Sequence, residues 1–208
     1  MPFSPSAVPA PTLPSTPPDA ARIAPPVDAV QALRAATHAQ HAALDQGLPL
    51  ARANATLADY LQHLTVLRDW QIALSPWLSR VLDLQAGLAL IAMDLAEDSP
   101  VPAAPPTPLD VSQIQAADDG SDAFCWGMAY VLEGSRLGGQ VLHRRLKESL
   151  APHPLRYLAE RGGPAWPETM KRLRHELAGD TALAAGCRGA ELAFGLLLTR
   201  FQHTGSLV

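Results

Sequence analysis

Cysteine is scarce in this 208-residue chain: Cys125 and Cys187 are the only two and stand far apart. Neither a disulfide framework nor a zinc ribbon has the residues it needs, and a reducing compartment suits the chain. A basic excess is missing too, since 16 Lys and Arg face 20 Asp and Glu for a formal net charge of −4. No surplus cation is left to neutralise a nucleic-acid backbone. Long hydrophobic runs are also absent. The longest, Gly87 to Met93, is closed by Asp94, well short of the roughly 20 apolar residues a membrane span needs. No Lys or Arg precedes Arg22 and no continuous apolar stretch follows Met1, so the parts of a secretory signal are not there. These absences predict a cytoplasmic protein with neither nucleic acid nor membrane as partner.

What is present points to helices. Hydrophobic residues make up 48% of the chain, aromatics 5% and charged residues 17%, and the apolar share is mostly Ala and Leu rather than Val and Ile. The first 27 residues hold nine of the 20 prolines. Such a stretch cannot bury a face or complete a hydrogen-bond ladder, so residues 1–27 are expected to form a disordered tail before one domain at 28–208.

From Asp28 the pattern changes. Asp28 can cap a helix carrying Val30, Leu33 and Leu44 to about Gly47, and Thr56 can cap a second with Leu57, Leu61, Leu64, Leu67 and Trp70 on one stripe toward Pro76. A further piece with Trp77, Leu78, Val81 and Leu82 precedes a helix at Leu88 to Leu95. Asp98 to Pro108 packs five prolines into eleven residues and reads as a surface loop. Ser121 or Asp122 opens a glycine-containing helix through Leu142, and two more follow at about Trp166 to Ala178 and Asp180 to Gln202. No segment alternates as a strand and no internal repeat is found. The expected class is all-α, a single-domain multi-helix bundle.

Two helices carry residues suited to chemistry. On the first, Arg34, His38, His41 and Asp45 recur at steps of four, three and four, which places them on one helix face. Such a face is either a solvated surface or a metal or haem site, where a carboxylate one turn from a His would receive its second ring N–H. On the other, Gly127, Gly134 and Gly138 recur at seven and four, with Ser135 and Gly139 beside them. A mid-helix Gly costs about 1 kcal/mol against Ala. The stripe therefore serves either close helix packing or a flat ligand laid against bare backbone. Together the two helices suit a planar macrocycle held between them.

Leu33-Arg34-Ala35-Ala36-Thr37-His38-Ala39-Gln40-His41 and Tyr130-Val131-Leu132-Glu133-Gly134-Ser135-Arg136-Leu137-Gly138-Gly139-Gln140-Val141 resemble two motifs of the biliverdin-producing haem oxygenases, especially the bacterial branch associated with bacteriophytochromes. The resemblance extends from about Val30 to Gln202. It implies the haem-oxygenase-like bundle, with haem as both substrate and cofactor, dioxygen as oxidant and electrons from an external reductase or ferredoxin. It also implies ring opening to biliverdin with loss of carbon monoxide and iron, and a bacteriophytochrome as acceptor of the product.

Carried over by position, the resemblance makes His41 the iron ligand and Asp45 its supporting carboxylate. Gly134, Gly138 and Gly139 become the distal backbone. Arg34 and His38 fall where basic residues contact the propionates, His38 being the weaker cation near pH 7. Lys171, Arg172 and Arg174 are candidates for the remaining propionate contacts, with Arg the better carboxylate partner. Phe194 matches an apolar wall residue. Ser135 stands where animal members carry an Asp, and implies a distal water chain anchored by a hydroxyl.

The remaining histidines, the pair Arg144 and Arg145, and Cys125 read as solvated or packing residues. Three alternatives stay open. One is a haem or bilin carrier or sensor without turnover. Another is a di-iron protein, for which Asp59 and His63 supply one pair only. The third is a helical scaffold whose proline-rich tail recruits a partner.

Overall fold

Helix begins at Asp28, whose Oδ1 accepts from the Val30 N–H at 3.2 Å and caps α1 (Ala29–Ala36). The computed structural model describes residues 28–97, 104–160 and 166–205; the proline-rich segment 1–27 lies outside them. The single first helix expected from periodicity is two. Thr37 leaves helical geometry (φ −98°, ψ 6°) and α2 (His38–Gly47) restarts after it. The cause is local: the Thr37 hydroxyl donates back to the Leu33 carbonyl at 2.8 Å, an alternative to the helical ladder that threonine readily takes. Pro49–Ala51 adds one 3₁₀ turn.

Thr56 caps α3 (Leu57–Leu78) in a reciprocal capping box with Asp59. This helix runs through Pro76, so Trp77 and Leu78 belong to its end rather than to a separate helix. The carbonyl that Pro76 leaves without a donor is that of Ile72, and both residues are exposed, so water can satisfy it. α4 (Gln85–Ala96) and the short α5 (Ser112–Ala117) follow. α6 (Asp122–Leu146) is capped by Ser121, whose Oγ accepts from Phe124 N–H at 3.2 Å, and it is continuous across all its glycines. α7 (Arg156–Ala159), α8 (Trp166–Glu176) and α9 (Asp180–His203) complete the order, and no strand occurs among the described residues.

The two longest late helices, α6 and α9, form the main pairing of the bundle. A Cβ on Gly127 would overlap the Gly186 carbonyl, and one on Gly189 would overlap the carbonyl of Phe124. Backbone therefore meets backbone over the N-terminal half of α6, burying Phe124, Met128, Ala190 and Ala193 around the crossing. α9 is long and apolar enough to suit a bilayer, yet here it packs against α1, α2, α3, α5 and α6.

Two buried carboxylates lock the other elements around this pair. Asp69 of α3 accepts from Arg68 at 3.0 and 3.1 Å and from Arg200 of α9 at 2.6 and 3.2 Å. Asp94 of α4 accepts from the Tyr60 hydroxyl at 2.6 Å and the Tyr157 N–H at 2.9 Å. The His153 ring is bonded on both sides, Nε2 to the Asp94 carbonyl and Nδ1 to the Leu155 N–H, each at 3.2 Å. These bonds hold α7 beside the C-terminal half of α6, where Gly139 approaches Leu158.

Candidate functional site

Where α6 runs past the crossing with α9, a cavity of about 340 Å³ opens between α2 on one side and α6 on the other, with α3, α7 and α9 closing its walls. That volume lies within the range of small-molecule sites, and the walls are mostly apolar (Leu44, Leu67, Val131, Leu142, Leu197). The glycines expected to form one functional stripe divide into two uses. Gly127 serves helix packing, whereas a Cβ on Gly134 or Gly138 would meet nothing within 4 Å and would project into open space. Both line the cavity, as do Ser135 and Gly139. Bare backbone is thus presented to the cavity at the two positions whose glycine no protein neighbour requires.

His41 faces this backbone from α2. Its Nδ1 lies 3.1 Å from the Thr37 carbonyl, which can only accept, so Nδ1 carries a proton and, in the neutral ring, the lone pair is on Nε2. The Phe194 ring packs on the imidazole at 4.6 Å between centroids, tilted by 60°. Tautomer and ring orientation are therefore both held, the two conditions a metal-binding imidazole needs. Support by Asp45 is corrected here. Helical side chains lean toward the N-terminus, so His41 reaches back to Thr37 rather than forward to Asp45; Asp45 lines the cavity instead.

The expected basic contacts do not line the cavity. Arg34 and His38 are exposed, on opposite sides of the break at Thr37. Burial raises the Tyr130 phenol above its usual range, opposed by the charge of Arg34 and by hydrogen bonding with Thr37 and Arg34. Arg174 is engaged elsewhere, gripping Asp28 with two bonds of 3.0 and 3.2 Å. Arg172 lies 4.6 Å over the Trp126 ring, and Lys171 is exposed on α8, which packs on α1 and α6.

Two residues were missed by sequence reasoning. His63 of α3 lines the cavity beside Phe201, at 5.4 Å between ring centroids. Burial lowers its pKa to about 4, so the ring is neutral near pH 7, and its Nδ1 has no protein partner. Its position one turn before Leu67 on the apolar stripe of α3 was the available signal. Arg145, expected to be merely solvated, donates to the carbonyl of Ala51, a cavity residue, at 2.7 Å. It lies two turns beyond Gly138 and hence on the same face of α6. Asp59, the other half of the pair considered for a di-iron site, has its carboxylate taken by the Thr56 N–H and hydroxyl.

The Ser135 hydroxyl donates to the Leu132 carbonyl at 2.7 Å. In that state it can accept from a water in the cavity but has no proton to offer.

The chain is 34% identical over 137 residues to the heme oxygenase of Xanthomonas campestris pv. campestris (strain 8004), a match that spans 62% of this chain and 73% of the relative. No family model matches the chain. No solved structure matches it either.

Proposed function

The chain belongs to the haem oxygenase family, and from that premise we propose that it opens haem to biliverdin with release of carbon monoxide and ferrous iron, using dioxygen and electrons from an external reductase or ferredoxin. The observation that carries the reading is His41 with its Nδ1 engaged at Thr37, set across the cavity from Gly134 and Gly138. Haem bound there supplies the iron that takes up dioxygen and the porphyrin ring that is cut.

The chain's own share follows from the residues. His41 offers its Nε2, on a ring fixed by Thr37 and Phe194, as the iron ligand. Gly134, Gly138 and Gly139 would hold a flat ring against backbone, with no bulky side chain of their own in its way. The apolar walls limit bulk water, and the Ser135 hydroxyl, donating to Leu132, is free to accept a hydrogen bond from a water in the cavity. Arg34 of α1 and His38, the first residue of α2, are the proposed propionate partners, with Lys171 next. Arg174 would first have to release Asp28. The serine of the distal motif supports placement in the bacteriophytochrome-associated branch, with a bacteriophytochrome receiving the biliverdin. Its committed hydroxyl also favours a second reading, a haem or bilin carrier without turnover.

Hemin titration followed by ascorbate or a ferredoxin system, with catalase present, tests both. A saturable one-to-one Soret band that gives way to broad red biliverdin absorption is the expected result. A Soret band that persists under reductant would establish the carrier, and no band would remove haem from the cavity.

A further inference from the structure

Behind the distal face of α6 lies a polar cluster that the mechanism above does not use. Gln71 of α3 is fully buried, and its Nε2 donates to the Tyr157 hydroxyl of α7 at 3.1 Å. Arg136 of α6 pairs with Glu133 one turn back at 2.7 Å, with side-chain exposures of only 16% and 7%. Gly87 of α4 makes the room. A Cβ there would meet Arg136 Nη2 at 3.1 Å, and both Gln71 Oε1 and a Tyr157 ring carbon at 3.8 Å. Side chains from three helices thus converge on one point beneath a fourth.

Two atoms of this cluster meet no protein partner: the acceptor Gln71 Oε1 and the donor Arg136 Nε, both buried. Leaving such groups unpaired is costly, and one water that donates to the first and accepts from the second answers both. Tyr157 belongs to this cluster and also lines the cavity. Having accepted from Gln71, its hydroxyl keeps its own proton to give. Ser135, by contrast, has spent its proton on Leu132.

We propose that Gln71 and Arg136 hold an ordered water behind the distal helix and that Tyr157 passes protons from it into the cavity, the task that Ser135 does not take. The inference rests on the haem reading of the cavity. In the transfer, one O–H bond of Tyr157 breaks as its proton passes to water in the cavity, while another forms on the same oxygen from the water held by Gln71 and Arg136. The water is reprotonated from solvent, and no electron moves. Gln71 and Arg136 are positioning residues in this scheme.

The electrostatic setting is mixed. Burial holds the Tyr157 phenol above its usual range; Arg136 and the Gln71 bond oppose this, while Glu160 and Glu133 reinforce it. Burial likewise raises Glu133, against the pull of Arg136, with Glu160 adding to the rise. From α4, Asp94 takes the Tyr157 N–H, and His41, Asp45 and His63 stand on the other cavity walls.

The test compares hemin-loaded wild type with Tyr157→Phe and Gln71→Leu, following hemin affinity, the pH at which the visible spectrum of the ferric complex changes form, and turnover in H₂O and D₂O. Expected for both variants are hemin affinity within about threefold of wild type, a displaced spectral pH transition and turnover slowed about tenfold or more. Wild-type turnover together with an unmoved transition in both variants would overturn the relay and leave the haem reading standing. Loss of hemin binding in proportion to turnover would also overturn it, making the cluster packing alone. Wild-type protein that binds no hemin would overturn the haem reading and the relay with it. Tyr157→Phe removes one oxygen atom only and decides the matter alone if Gln71→Leu does not fold.

Discussion

His41 turns its Nδ1 onto the carbonyl of Thr37, 3.1 Å away and one helical turn back. The same carbonyl also receives the His41 backbone N–H at 3.0 Å. Backbone and side chain of one residue converge on one acceptor, at the point where the hydroxyl of Thr37 has interrupted the helix. The orientation of the imidazole is therefore written into a helix break, with no carboxylate involved.

His41→Ala is expected to abolish the imidazole-ligated hemin spectrum, and added free imidazole should restore it. His38→Ala should keep the spectrum and weaken affinity only. Loss of the spectrum in His38→Ala but not in His41→Ala would put the ligand one turn away from where the cavity has it.

The two classes of glycine on α6 should respond in opposite ways. Gly138→Ala, with open space for its Cβ, should stabilise the hemin-free protein by about 0.5–1 kcal/mol through helix propensity. It should also weaken hemin binding by about tenfold, or 1.4 kcal/mol. Gly127→Ala, driven against the Gly186 backbone, should cost about 1–3 kcal/mol of stability. Thermal melts and hemin titrations of the two variants check the contrast.

His63 makes stability depend on pH with a definite sign. Its pKa falls from 6.5 unfolded to about 4 folded, so the unfolded chain binds more protons in between. The folded state then loses stability as pH drops from about 6.5 to about 4, by at most about 3 kcal/mol at 1.36 kcal/mol per unit, and the loss is complete below that window. His63→Leu should flatten this part of the curve. Parallel melting curves for wild type and variant from pH 7 to pH 4 would show that burial does not keep the ring neutral.

Asp69 pairs with two arginines at once, Arg68 and Arg200, with its own side chain fully buried. Asp69→Ala should destabilise the fold by about 3 kcal/mol, because two largely buried cations lose their partner. Since Asp69 does not line the cavity, hemin affinity of the folded fraction should be unchanged, as read by denaturant melts beside hemin titration.

Capping residues and composition were enough to read much of the fold. Thr56 and Ser121 start their helices as their side chains dictate, since an oxygen placed to accept an early N–H is a local matter. The grouping of His41 with Asp45, and of Gly134 with Gly138, was legible for a similar reason: the period of a helix decides which residues share a face. What shares a face does not reveal what lies opposite it. Gly127 and Gly138 repeat on the same helix, yet one meets the backbone of α9 and the other open cavity, because α6 is long enough to pass from one neighbour to the next.

Composition and periodicity by themselves determined an all-helical chain, its main helix starts and which polar residues and glycines recur at helical spacing. Tertiary structure alone decided that Phe194 packs on the His41 ring, and that Arg174 belongs to Asp28. It alone brought His63 to the cavity and gathered Gln71, Arg136 and Tyr157 behind the distal helix. Helical spacing is a short-range rule along one element, whereas these contacts join residues dozens of positions apart and exist only once the helices have packed.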